Sequence, residues 1–162
     1  LRLGGKRPPP ERVPVDLAAA CREAYAPYRE DFRDHFGGED VEISCTAPSA
    51  AATADPTLVA QTLWNLFGNE LKYAAPFGRV KVRIEEGGGK VCVVFADEGP
   101  GMSPRDRRRA FDRYFRGRSK SGKGGFGIGL CTAREFARAM GGDLTLAAND
   151  PHGCVFTLEL PK

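Results

Sequence analysis

Long apolar runs are missing from this chain. No stretch approaches the roughly 20 consecutive residues that span a bilayer. No basic-then-apolar leader opens it either, so no secretion signal is read, and the start at Leu1 rather than Met reads as a piece of a longer protein. Cysteines are scattered: Cys21, Cys45, Cys92, Cys131 and Cys154 are odd in number and form no CxxC pair. That argues against a disulfide framework or a zinc cage and favours reduced, buried thiols in a cytosolic setting. A large charge of one sign is also missing, since a net +3 is too small to imply nucleic acid by itself.

What is present fits one domain with a substantial core. The 162 residues are 41% hydrophobic and 28% charged, an ordinary globular balance. Charge is uneven, however: residues 105–123 hold nine Lys or Arg against two Asp. Such a run can be a solvated loop, a phosphate-facing loop or a nucleic-acid patch.

Residues 1–14 carry four prolines and several basic residues. The reading is a linker or disordered end over 1–12 and a single domain over 13–162. Asp16 caps a helix to about residue 26, where Pro27 interrupts. Residues 41–45 form a short strand and 47–54 a small-residue loop. Asp55-Pro56 is an N-cap with Pro at the first helical position, opening a helix to about Tyr73. Residues 79–85 and 90–96 make a hairpin around Gly87, Gly88 and Gly89, and the apolar run 91–95 reads as a central strand. Ser103-Pro104 opens a short helix through about Phe111. A helix carrying Leu130, Ala133, Phe136, Ala137 and Met140 stops at Gly141-Gly142. Strands 143–148 and 154–160 close the chain as a second hairpin. Strands so often hairpin-paired predict an α+β two-layer sandwich and not a doubly wound sheet.

Three segments carry chemistry. In the first helix with functional groups, about 100° of turn per residue puts Asn65, Asn69 and Lys72 in one sector. Val59, Leu63, Leu66, Phe67 and Leu71 take the opposite, core side. An amide oxygen can ligate a hard cation and a lysine can meet a phosphate. Next, Asp97-Glu98-Gly99-Pro100-Gly101 follows a buried strand. A carboxylate there can accept from an exocyclic amine, and glycines let a flat ring approach the backbone, although DxGxG by itself could be only a turn. Finally, Gly125-Phe126-Gly127-Ile128-Gly129-Leu130 opens a helix, where exposed N–H groups and the helix dipole suit phosphate. It does not directly follow a strand and lacks GK[ST], so neither the dinucleotide fingerprint nor the P-loop applies.

Their order, with Phe111-Asp112-Arg113-Tyr114-Phe115 between the second and third and Gly153-Cys154-Val155-Phe156 at the end, resembles the N, G1, F, G2 and G3 boxes of one family. That family is the ATP-binding catalytic domain of bacterial sensor histidine kinases, in the superfamily that includes gyrase and heat-shock chaperones. The resemblance covers nearly the whole chain. It implies the Bergerat-type fold, a mixed sheet of about five strands covered by three helices. It also implies ATP and Mg2+ as cofactors. By the same resemblance Asn69 is the magnesium ligand, Asn65 lines the triphosphate, Lys72 neutralises phosphate charge, and Asn65 and Lys72 serve catalysis. Tyr73 packs beside the nucleotide, Asp97 reads the adenine amine with Gly99 and Gly101 giving access, and Gly125, Gly127, Gly129 and Leu130 complete the phosphate side. Residues 102–126 would form an ATP lid, with Arg113, Arg116, Arg118, Lys120 and Lys123 as alternatives for the γ-phosphate.

The superfamily's hydrolases carry a water-activating glutamate where this chain has Asn65, and an amide is no base near neutral pH. The resemblance therefore implies transfer to an acceptor, a histidine on a separate dimerisation domain of the same protein, with a response regulator as indirect partner. His35 and His152 match no phosphoacceptor motif and read as surface residues. The fragment is expected to be cytoplasmic and monomeric, to touch neither nucleic acid nor membrane, and to belong to a parent that can be anchored in the inner membrane. A degenerate nucleotide- or partner-binding module without transfer is the alternative. Two departures from the family's pattern motivate it, Glu70 where a small residue, usually Ala, follows the magnesium-binding Asn, and Phe126 for Thr or Ser; Cys154 for Thr is a further departure. Glu70 falls within the apolar stripe, where it is expected as a tolerated edge residue, paired with an Arg or reaching the rim of the site.

Overall fold

A computed structural model describes residues 8–113 and 127–162. Local signals set its first elements. Strand β1 (Val13–Asp16) runs directly into α1 (Leu17–Tyr25), whose N-cap is Asp16 accepting from the Ala18 and Ala19 amides at 3.0 and 3.1 Å. A 3-10 turn (Ala26–Tyr28) with Pro27 separates α1 from α2 (Arg29–His35). After β2 (Glu42–Cys45) and β3 (Ala51–Ala54), Asp55 caps α3 (Pro56–Tyr73) through the Thr57 and Leu58 amides. The hairpin β4 (Val80–Gly87) and β5 (Lys90–Asp97) follows, then α4 (Pro104–Arg109), α5 (Gly127–Ala139), β6 (Asp143–Ala148) and β7 (Cys154–Pro161).

The main sheet has the order β2-β4-β5-β7-β6, parallel between β2 and β4 and antiparallel elsewhere. The apolar strand β5 is central, as its sequence predicts. Strands β4 and β7 alternate in burial, so Val80, Val82 and Ile84 point inward while Lys81 and Arg83 face out. Helix α3 lies between α1 and α5, and the core fills the space between these helices and the sheet. This is the expected two-layer α+β sandwich with a mixed five-stranded sheet.

Two readings need correction. Residues 47–54 are not all loop, because β3 pairs antiparallel with β1 in a separate two-stranded sheet. Alanine-rich strands have little intrinsic propensity, so this pairing is a tertiary effect. Helix α2 was not anticipated either; only Phe32 of its seven residues is buried, which leaves no apolar period to read.

Aromatic packing sets the rotation of α3. Phe67 meets Phe95 of β5 edge-on, with centroids 4.9 Å apart and planes at 74°, and the Tyr25 ring centre lies 5.6 Å from its own. Burying a ring of this size is worth about 1.5–3 kcal/mol. Rotating α3 to bury its polar sector would forfeit that contribution.

A second tie holds α1 and α2 to the start of β2. Asp40 accepts from the Tyr25 hydroxyl at 2.9 Å, from Arg29 Nε at 2.8 Å and from Arg33 at 3.3 Å, while Tyr25 Oη accepts from the Val41 amide. The Arg29 hydrogen bond, seconded by Tyr25, lowers the Asp40 carboxyl to about 2. A depressed acid contributes stability above its unfolded value and loses it as pH falls through the folded one. Asp40→Asn should therefore melt at a lower temperature than wild type at neutral pH. The gap should close between about pH 4 and about pH 2, as read by thermal unfolding across an acid series.

Candidate functional site

Because Val59, Leu63, Leu66 and Phe67 are fully buried or nearly so, the opposite sector of α3 must face outward. Asn65, Asn69, Lys72 and Tyr73 accordingly line one groove of about 330 Å³. Asn65 and Asn69 are half-buried and Lys72 is exposed, its Nζ 5.7 Å from the Tyr73 ring centre. Two groove residues were not singled out in the sequence. Tyr28 and Trp64 pack at 4.9 Å, and Trp64 stays 48% exposed. Gly68 makes room for Tyr28, since a Cβ there would stand 2.8 Å from its hydroxyl. The legible signal was a tryptophan next to Asn65 on a polar face.

Asp97 does not line this groove. It ends β5, is 3% exposed, and its Oδ1 accepts from the Gly99 amide and, across the chain, from the Cys154 amide, both at 3.0 Å. The Asp97 carbonyl accepts from Asn149 Nδ2 at 2.8 Å. Gly153, with φ of 111°, permits this approach: a Cβ there would lie 1.9 Å from the Asp97 carbonyl oxygen. Gly99 packs on the end of α3, where an added Cβ would meet the Ala74 Cα at 3.0 Å. Gly101 also takes a positive φ, 75°. His152 is exposed as expected, yet its Nδ1 donates to the Gly99 carbonyl at 2.8 Å and so braces the same loop. Burial, with the Asp97 charge added, pushes the Cys154 thiol up to about 12. It is the residue's backbone N–H, whatever its side chain, that holds Asp97.

Glu70 requires the main correction. It is no edge residue: it is 2% exposed, no ion pair joins it to an Arg among the described residues, and its carboxyl interacts with that of Asp97. Desolvation, then the Asp97 charge and the interaction between the two carboxyl groups, raise its carboxyl well above the ordinary range. Its Oε1 is buried without a hydrogen-bond partner. Glu70 thus joins the two ends of the site, following Asn69 in sequence and touching Asp97 in space.

Of the third segment, Gly127 is the first residue of α5, Gly129 is half-buried with open space where a Cβ would stand, and Leu130 is buried in the core. Gly125 and Phe126 lie outside the described residues, as do Tyr114, Phe115, Arg116, Arg118, Lys120, Lys123 and most of the expected lid. Arg113 is described and pairs with Glu135 at 2.7 Å.

As for metals, among the described residues no group of three or more His, Cys, Asp or Glu could cage an ion. The groove instead offers neutral amide oxygens beside a lysine, a donor set suited to a hard cation that keeps phosphate oxygens as its other ligands.

A profile for the family described as "Histidine kinase-, DNA gyrase B-, and HSP90-like ATPase" matches residues 54–162. The chain is similar to the sensor-like histidine kinase SenX3 of Mycobacterium tuberculosis. They are 30% identical over 164 aligned positions, which cover 99% of this chain but 39% of SenX3. It is also similar to the solved catalytic domain of the histidine kinase ThkA in a nucleotide-free form, with a TM-score of 0.79 and 25% identity over 94% of this chain and 96% of that one. Full-length ShkA, solved in complex with AMPPNP, gives a TM-score of 0.79 and 26% identity over 98% of this chain and 32% of that chain. The chain therefore spans well under half the length of the curated relative it matches. No helix among the described residues is long and apolar enough to cross a membrane.

The close approach at Gly153 yields a direct test. Gly153→Ala should cost about 1–3 kcal/mol in urea unfolding, because the added methyl group cannot occupy that position at a positive φ without moving the Asp97 backbone.

Proposed function

The chain belongs to the histidine kinase-, DNA gyrase B- and HSP90-like ATPase family, as a domain of the sensor histidine kinase type, and we propose that it binds ATP with Mg2+ and donates the γ-phosphoryl group to a histidine on a separate dimerisation domain of its parent protein. The observation that carries this reading is the single groove lined by Asn65, Asn69, Lys72 and Tyr73, joined to Asp97 through Glu70. The AMPPNP complex of ShkA supports an adenine nucleotide as ligand.

Asn69 would hold the metal and Asn65 would line the phosphate chain, each through its amide oxygen. Bound Mg2+ would offset charge on the phosphate oxygens. Lys72 would add a cation at the mouth of the groove, and Tyr73 would give the nucleotide an apolar surface to rest on. Asp97 would accept from the exocyclic amine of adenine, with its Oδ1 already fixed by two backbone amides. Phosphoryl transfer needs positioning and charge neutralisation more than a base in this domain, so an amide at position 65 is no obstacle. The proposed domain spans residues 13–162, with residues 1–12 outside it. His35 and His152 are both exposed and sit in no phosphoacceptor motif, so the acceptor belongs to another domain. A response regulator would receive the phosphoryl group in turn. The domain works in the cytoplasm as a monomer.

Two measurements test this. Asn69→Ala should abolish Mg2+-dependent ATP binding by titration calorimetry while circular dichroism stays unchanged; wild-type-like heats would remove the metal assignment. Incubating the chain with a histidine-bearing dimerisation domain from a matching sensor kinase and γ-labelled ATP should place label on that histidine. ATP binding without label would instead support a nucleotide-binding module that does not transfer.

A further inference from the structure

The groove does not end at Asn65. Beyond it, between α3 and α5, lies a cleft of about 460 Å³ lined by Ala60, Gln61, Trp64, Asn65, Thr132 and Phe136. Asn65 and Trp64 belong to both, so the cleft opens onto the end of the groove. Among the described residues none that lines it is charged, whereas Lys72 lines the groove and Asp31, Asp34 and His35 line an adjoining cavity. Past Ala60 and Trp64 the apolar surface continues toward α1, along Ala20, Ala24 and Pro27. A half-exposed tryptophan at the junction of such surfaces is the kind of side chain that a partner covers and that anchors an interface.

We propose that this cleft docks the acceptor-bearing helix, taking from it a bulky apolar side chain about one turn away from the phosphorylated histidine. This rests on the function proposed above and deepens it. The base-recognition loop packs on the C-terminal end of α3, where Gly99 approaches Ala74. In that reading the phosphates extend toward Asn65, and the terminal one lies at the mouth of the cleft. Ala60 and Gln61 stand about one turn of α3 before Asn65, roughly 6 Å along the axis, so a helix lying alongside sets its anchor and its histidine the same distance apart. Transfer to a protein side chain depends on holding that side chain in place, and an anchor beside the reacting phosphate does so. An uncharged cleft suits an apolar anchor and gives no counter-charge to a nucleic acid or a second anion.

The test measures binding of a histidine-bearing dimerisation domain from a matching sensor kinase to the AMPPNP-loaded chain, with phosphotransfer read separately. Ala60→Arg and Gln61→Arg place a charge in the cleft from exposed positions that line it but not the groove. Both should keep the melting temperature and, within about twofold, the AMPPNP affinity of wild type, while binding the dimerisation domain at least about tenfold more weakly. With γ-labelled ATP the loss should appear as a raised KM for the acceptor domain, with kcat largely retained. Alanine in place of the apolar residue three or four positions from the acceptor's histidine should weaken wild type comparably and add little to Ala60→Arg.

Unchanged acceptor affinity in both arginine variants would overturn the proposal, as would full additivity with the acceptor's alanine variant or a wild type that does not bind the dimerisation domain. Self-association of wild type that the arginine variants abolish, read by sedimentation, would assign the cleft to a second copy of this chain and overturn it as well. A wild type that binds the dimerisation domain yet transfers no label would refute the function proposed above, while the arginine variants still decide the docking, so the two failures are separable.

Discussion

The rotation of α3 about its own axis governs this molecule. Phe67, Leu66, Leu63 and Val59 are buried against α1, β5 and the rest of the core, and the edge-on contact of Phe67 with Phe95 permits little rotational freedom. Once that face is inward, helical geometry turns Asn65, Asn69 and Lys72 to the groove. The same geometry carries Glu70, one residue past Asn69, toward the sheet and into contact with Asp97. A single packing decision thus sets both the groove-facing amides and the buried acid.

The other half of the site is organised by backbone. Asp97 owes its position to amides from Gly99 in its own loop and from Cys154 at the start of β7, and its carbonyl is held by Asn149. Glycines at 99 and 153 allow these segments to approach more closely than side chains would. A carboxylate so anchored keeps its orientation without a ligand, which spares a binding partner the cost of ordering it. Since the Cys154 backbone amide provides the anchoring contact, the hold on Asp97 does not depend on the side chain at that position.

Most elements were legible because their signals are local. Asp55-Pro56 announces α3 and its apolar period gives its length; Gly87, Gly88 and Gly89 mark the hairpin, and the uninterrupted run before Asp97 marks the central strand. The elements that escaped have weak local signals. Ala51–Ala54 becomes a strand only because Val13–Asp16 lies beside it, and Arg29–His35 is a helix with one buried residue. Trp64 and Tyr28 entered the groove unannounced because their contact joins α3 to a turn 36 positions earlier in the chain.

By itself the sequence determined the family, the two-layer architecture, and which face of α3 bears its amides, since periodicity, caps and ordered motifs are properties of neighbouring residues. Only the tertiary structure decided the state of Glu70. Its position in the apolar stripe was readable, but its partner was not: an edge residue, an Arg ion pair and a buried acid against Asp97 are alike in one dimension. What separates them is the approach of two residues 27 positions apart and the burial of both side chains, and neither exists until the chain has folded.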